Sequence, residues 1–165
     1  MKFTVSTSNV EYMKKRIAKK LSHLKTDKFV TVGIHSDAGT HEGSGLTNAA
    51  LGATLNYGTD HAGKNKKVKI PASPWLQPGV NSGLKEYSKL IKKDIKDKKP
   101  VSLILERLGL VAVGKVQAYM NDLKTPANAP STIKSKGFDN RLINTGELKG
   151  TVTYKVVDDK PSEGI

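Results

Sequence analysis

The chain has 165 residues, which is one domain by length and enough for a core that needs no staples. It holds no cysteine, so disulfides, thiolate metal sites and cysteine nucleophiles are excluded; hydrophobic residues at 36% and aromatics at 5% make the core aliphatic and modest. The net charge of +13 favours acidic partners: nucleic acid, an anionic membrane or an acidic protein surface.

Lysine dominates that charge and aromatics are not interleaved with it, which weighs against base-reading nucleic-acid recognition. The first residues, MKFTVSTS, have no apolar h-region, so no signal peptide is expected. No apolar run approaches the roughly 20 residues of a membrane span. With no cysteine, synthesis in a cytoplasm is expected, and no membrane partner.

Phe3 and Val5 alternate briefly, as a short strand or an arm. Ser8 and Glu11 have capping-box spacing, which predicts a helix over 9–24. Val10, Met13, Ile17, Leu21 and Leu24 then fall within roughly an 80° stripe at 100° per residue. Both a membrane-surface helix and a core-packed helix fit such a stripe. It is narrow and lacks Trp and Phe, so packing on the core is expected.

Residues 29–35 predict a strand with Val30, Val32 and Ile34 on one face, and Gly33 as a bulge or close approach. A loop of Gly, His, Ser and acids follows. Thr47 then caps a small-residue helix that ends at Tyr57-Gly58, where a left-handed stop is expected. Residues 67–70 extend as a strand, and Pro71 and Pro74 forbid helix and central-strand pairing beyond it. Trp75 and Leu76 are expected to close one end of the core; a ligand-binding Trp is the alternative.

Leu84, Tyr87, Leu90, Ile91 and Ile95 predict a helix starting near Ser82, whose lysine-rich C-terminal turns suit the helix dipole. Pro100 stops it and opens the next helix at its first position, running to about Asn121. This most apolar element is expected to be the central packing helix, with Gly109 and Gly114 permitting close contacts at about 1 kcal/mol of propensity each.

From Asn128 to Asn140 the composition is that of a polar loop without period. Leu142-Ile143 is a short apolar pair, and Asn144-Thr145-Gly146 is a turn with Gly146 free to take positive φ. Leu148 follows. From Gly150 the chain alternates, with Val152, Tyr154 and Val156 on one face, which predicts a half-buried strand. The remaining polar tail, 158–165, is expected to fray.

This C-terminal stretch resembles the signature of the tail-completion and virion-morphogenesis proteins of tailed bacteriophages. Asn128, Pro130, Thr132, Lys136, Gly137, Leu142, Ile143, Thr145, Gly146, Leu148 and Tyr154 match it. Asn140-Arg141 stands where Lys-Pro is usual, and Asn144 where Asp is usual; Asn makes the same Asx turn. Asn56-Tyr57-Gly58-Thr59 is similar to the phrase that ends a helix in those proteins. The stretch from Ile70 to Pro78 resembles their Pro-aromatic segment, with Trp75 for Phe and with Ser73 and Gln77 for basic residues. The order of these segments makes the case, not any single motif.

The resemblance implies a virion protein of the phage neck that completes the tail and joins it to the DNA-filled head as a homo-oligomeric ring. Its partners would be other neck and tail proteins, and it would be met in the host cytoplasm during assembly. Alternatives are a tail terminator, a head-closure ring, or a basic DNA-binding protein using the lysines of 84–99. It places a partner interface at Asn128, Pro130, Thr132, Lys136, Gly137 and Trp75, and a structural turn and core at Thr145, Gly146, Leu148 and Tyr154.

Chemistry is not apparent in the sequence. His23, His35, His41 and His61 lack zinc-site spacing, and a metal gathered by His35, Asp37, His41 and Glu42 is weighed against a solvated loop, which is expected. There is no P-loop, dinucleotide fingerprint or Gly-x-Ser-x-Gly elbow. No enzyme, cofactor or metal is expected. The fold expected is α+β: a small mixed or antiparallel sheet of 29–35, 67–70 and 150–157, about four helices, and assembly loops at 36–46, 59–67 and 123–141. One domain, 1–157, would hold all of it, with loop 123–141 ordering only on assembly.

Overall fold

The computed structural model of the chain describes residues 7–158 apart from Gly43, Lys64, Phe138, Arg141, Asn144 and Thr145. Phe3, Val5, Thr145 and the tail beyond Asp158 therefore lie outside the described residues. In chain order the elements are α1 (Thr7–Leu21), a 3-10 turn (Ser22–Leu24), β1 (Phe29–Gly33), α2 (Asn48–Tyr57), β2 (Thr59–Ala62) and β3 (Val68–Ile70). There follow α3 (Leu76–Ser82), α4 (Leu84–Lys96), α5 (Val101–Asp122), α6 (Pro130–Lys136), α7 (Glu147–Gly150) and β4 (Thr153–Val157).

The class is α+β and the pairing antiparallel, as expected, but the strands form two sheets instead of one. β1 pairs with β4, from Phe29 opposite Val157 to Gly33 opposite Thr153. β3 does not join them. It pairs with β2 in a separate hairpin, so part of the expected 59–67 loop is a strand. Thr59-Asp-His-Ala lacks apolar alternation, which is why it reads as loop: its burial follows the hairpin, not a core face.

α5 is the central element. Its buried positions, Ile104, Gly109, Ala112, Val116 and Met120, recur at helical spacing, and Val116 and Met120 are wholly buried. Full burial of side chains of this size contributes about 1.5–3 kcal/mol each. The core gathers Trp75, Val116, Met120, Leu142, Leu148 and Val152, with Val32, Ile34, Leu51 and Leu55 packed against it. α3 lies so close to α5 that a Cβ at Gly79 would come within 2.9 Å of Val116 Cα. Pro100 is the residue before α5 and not its first helical residue.

Several boundaries differ from the sequence reading. The helix expected from near Ser82 is α4; a helix that the sequence reading did not foresee, α3, precedes it and meets it at Gly83. The final strand starts at Thr153, because Glu147–Gly150 forms a helical turn; Leu148 is buried within that turn and not within the strand. Gly146 has φ +87°, the positive value its turn was expected to need. α1 begins at Thr7, so Ser8 sits inside its first turn and is no N-cap. Its apolar stripe is not packed on the core: Val10, Met13, Ile17 and Leu21 are 38–52% exposed.

Candidate interaction surface

The end of α2 and the Pro-aromatic segment meet at the N-terminus of α3. Thr47 caps α2 through its hydroxyl, which accepts from Ala50 N at 3.1 Å. α2 ends at Gly58, whose φ +78° and ψ 173° lie outside the left-handed helical region expected there. Glycine is still demanded, because a Cβ would lie 2.7 Å from both Ala72 N and Ile70 O. Asn56 reaches across to the Pro-aromatic segment: its Oδ1 accepts from Trp75 N at 3.0 Å and Leu76 N at 3.3 Å. Those are orphan donors at the start of α3.

Trp75 itself is a core side chain, 3% exposed, with its indole N–H donating to Gly52 O at 3.1 Å. Gly52 gives it room, since a Cβ there would stand 3.3 Å from Trp75 Cζ2 and 2.7 Å from Ile34 Cδ1. The ring thus has no surface to present to a partner, contrary to its expected place in an interface; the core-plug reading holds.

The remaining interface candidates come together on the loop after α5, which is folded and not featureless. Pro130 opens α6 at its first position, where a missing N–H costs nothing. Gly137 closes it with φ +81°, its N–H donating to Ile133 O at 2.8 Å. Asn128 donates from both its backbone N and its Nδ2 to Asp139 Oδ1, each at 3.0 Å. Lys136 turns its ammonium inward, onto Asn140 O at 3.0 Å and Ile143 O at 2.7 Å. Thr132 is half-buried. In the single chain these residues serve the loop's own geometry.

Asn140, noted in the sequence only as a departure from the signature, ties this loop to the body. Its Nδ2 donates to Met120 O at 3.2 Å and Asn121 O at 2.9 Å, carbonyls in the open last turn of α5. Its Oδ1 accepts from Leu142 N and Ile143 N, both at 3.0 Å.

Two further clusters hold ionisable groups, and only that of His35 and Asp37 is weighed in the sequence, as a metal group. Asp94 is fully buried on the lysine-rich α4, with Lys99 Nζ at 3.1 Å and Arg107 Nε at 3.2 Å. These are close ion pairs whose angles fall short of directed hydrogen bonds. His35 sits between two hydroxyls, Nε2 3.0 Å from Thr31 Oγ1 and Nδ1 3.0 Å from Thr153 Oγ1. Burial and then the Lys155 ammonium hold its pKa below the ordinary value, against a smaller upward pull from Asp37. Asp37 in turn is lowered, chiefly by its hydrogen bond from Lys155 Nζ at 2.7 Å.

A concavity of about 510 Å³ lies beside β4, lined by Glu106, Leu110 and Val113 of α5 and by residues 152–156. Tyr154 lies over Gly109, where a Cβ would stand 2.3 Å from its Cδ2. Among the described residues no third strand pairs with β1 or β4, so the sheet has open edges. Gly114, in contrast, faces open space and permits no close contact. The exposed lysines of α4 are Lys85, Lys89, Lys92, Lys93 and Lys96. Among the described residues no three His, Cys, Asp or Glu side chains are grouped to hold a metal, and no helix is long and apolar enough to cross a membrane.

Comparison with known proteins gives no match to a protein-family model, to a curated protein or to a solved structure.

Proposed function

We propose that the chain is a structural subunit of a tailed-phage neck, completing the tail and joining it to the filled head as one of a ring of copies. The observation that carries this reading is the order of the matching segments together with their meeting in space. The phrase ending α2 and the Pro-aromatic segment are joined through Asn56, and the last segment, with Leu148 and Tyr154, packs on α5. Open edges on the two-stranded sheet are a ready means for copies to join. The tail terminator and head-closure positions are neighbouring variants of the same role. The test is genetic and microscopic: particles made without the protein should accumulate as filled heads and separate tails, and an antibody should label the neck of complete ones. Complete, infectious particles lacking the protein would overturn the reading.

A DNA-contacting role has its own support in the exposed lysines of α4 and the +13 charge. Retention on DNA that falls steeply with salt, and that neutralising Lys89, Lys92 and Lys96 reduces, would favour it.

A further inference from the structure

Two apolar surfaces of this chain lack a counterpart within it, one convex and one concave. The convex one is α1, whose Val10, Met13, Ile17 and Leu21 form a single open stripe. An isolated helix of about 12–15 residues is marginal in water, and packing of its apolar face normally supplies what it lacks. The concave one is the groove between α5 and β4, where Leu110 is 60% exposed beside Val113, Val152 and Tyr154.

We propose that α1 of one copy lies in the α5–β4 groove of a second copy. The lengths agree: Val10 to Leu21 spans about 16 Å at 1.5 Å per helical residue, and the five steps from Val152 to Val157 extend about 17 Å. The charges agree as well. α1 carries Lys14, Lys15, Arg16 and Lys19 against Glu11 alone. At the groove, Glu106 is exposed and has no ion pair among the described residues, while the charge of Lys155 is occupied by Asp37. A reciprocal exchange of the two surfaces would stop at a two-fold dimer, whereas passed onward from copy to copy the contact is head-to-tail. Such a contact repeats from copy to copy and closes when the rotation per copy allows. The inference rests on the reading that copies of the chain associate, and not on the virion setting.

The absence of cysteine makes cross-linking direct. Ile17→Cys and Leu110→Cys, both at exposed positions, are made separately, checked by circular dichroism, mixed and mildly oxidised. A disulfide requires Cα atoms within about 7 Å. The expected product is a dimer containing one of each variant, with none from Ile17→Cys mixed with Lys89→Cys, and a ladder of multimers from the double variant. A double variant that yields only an internally bridged monomer would place α1 in its own groove and overturn the proposal, as would the absence of any cross-link.

Sedimentation separates this proposal from the ring reading. Ile17→Asp should weaken self-association about tenfold or more, because the docked site would bury a carboxylate. Association left unchanged by Ile17→Asp would overturn the docking and leave the ring standing; a monomer at every concentration of the unaltered chain would overturn both. Binding to anionic phospholipid vesicles that depends on Ile17 and not on Leu110, without the cross-link, would assign α1 to a lipid surface and overturn the docking.

Discussion

Tyr154 occupies the volume that a side chain at Gly109 would need, so the middle of β4 and the middle of α5 are held together by an absent methyl group. The ring atoms nearest that point are Cγ and Cδ2, close to the stem of the side chain, where it has least freedom to move aside. Gly109→Ala should therefore destabilise the fold by about 1–3 kcal/mol through overpacking, outweighing the roughly 1 kcal/mol that alanine gains as a helix former. Gly114→Ala, on the same helix with nothing within 4 Å, should do the reverse and raise the melting temperature by about 2–4 °C. Thermal unfolding of the two variants beside the unaltered chain reads both signs; a stabilised Gly109→Ala would show that Tyr154 is not held as described.

The buried carboxylate of Asp94 predicts an asymmetry between its partners. Arg107→Met leaves Asp94, at 0% exposure, with Lys99 alone, whereas Asp94→Asn leaves two partly exposed cations that water can still reach. The first should cost about 3 kcal/mol and the second about half of that. Denaturant titration of both variants measures the difference, and equal losses would contradict it.

Stability should fall as pH drops below neutrality, partly through His35. Its folded-state pKa lies below the ordinary 6.5, so the unfolded chain takes up the proton first. The stabilisation is complete above about pH 6.5 and is lost as pH falls through the lowered value. His35→Gln should flatten the pH dependence of unfolding in that window. A slope unchanged by the substitution would assign it to other groups.

Asn140→Ala removes the tie between α5 and the loop that follows. Four hydrogen bonds go with it, two to Met120 O and Asn121 O and two from Leu142 N and Ile143 N. The expected loss is about 2–3 kcal/mol, with faster hydrogen exchange at the Leu142 and Ile143 amides. In the unaltered chain the amides of Thr132, Ile133 and Gly137, which donate to Ala129 O and Ile133 O, should be protected; exchange there at free-peptide rates would favour a segment that orders only with a partner.

What could be read from the sequence was local. Thr47 and the small residues after it announce α2, and the long apolar run announces α5, because cap chemistry and helical period need no knowledge of neighbours. α6 could also have been found, since Pro130 at the first position and Gly137 just past the end follow the usual asymmetry of helix termini. Its polar composition concealed it. α3 was hidden for another reason: Pro78 and Gly79 are poor helix formers, and the close contact of Gly79 with Val116 that covers the helix is a fact of tertiary packing. Asp94 read as one more charge on a lysine-rich helix, because its burial depends on Arg107, a turn into the next helix. The stripe of α1 was read correctly as amphipathic and assigned to the wrong cover, since period reports that a face wants burial and says nothing of what buries it.

The pairing of Phe29 with Val157 sets an order of events during synthesis. β1 leaves the ribosome long before β4 has been made, and at about 5–20 residues per second the interval is about 6 to 26 s. Through that time the nascent chain carries a strand with two vacant edges, and α5 has nothing to place against Gly109. Completion of the sheet thus waits on the synthesis of β4, and until then both edges of β1 stay open to other strands.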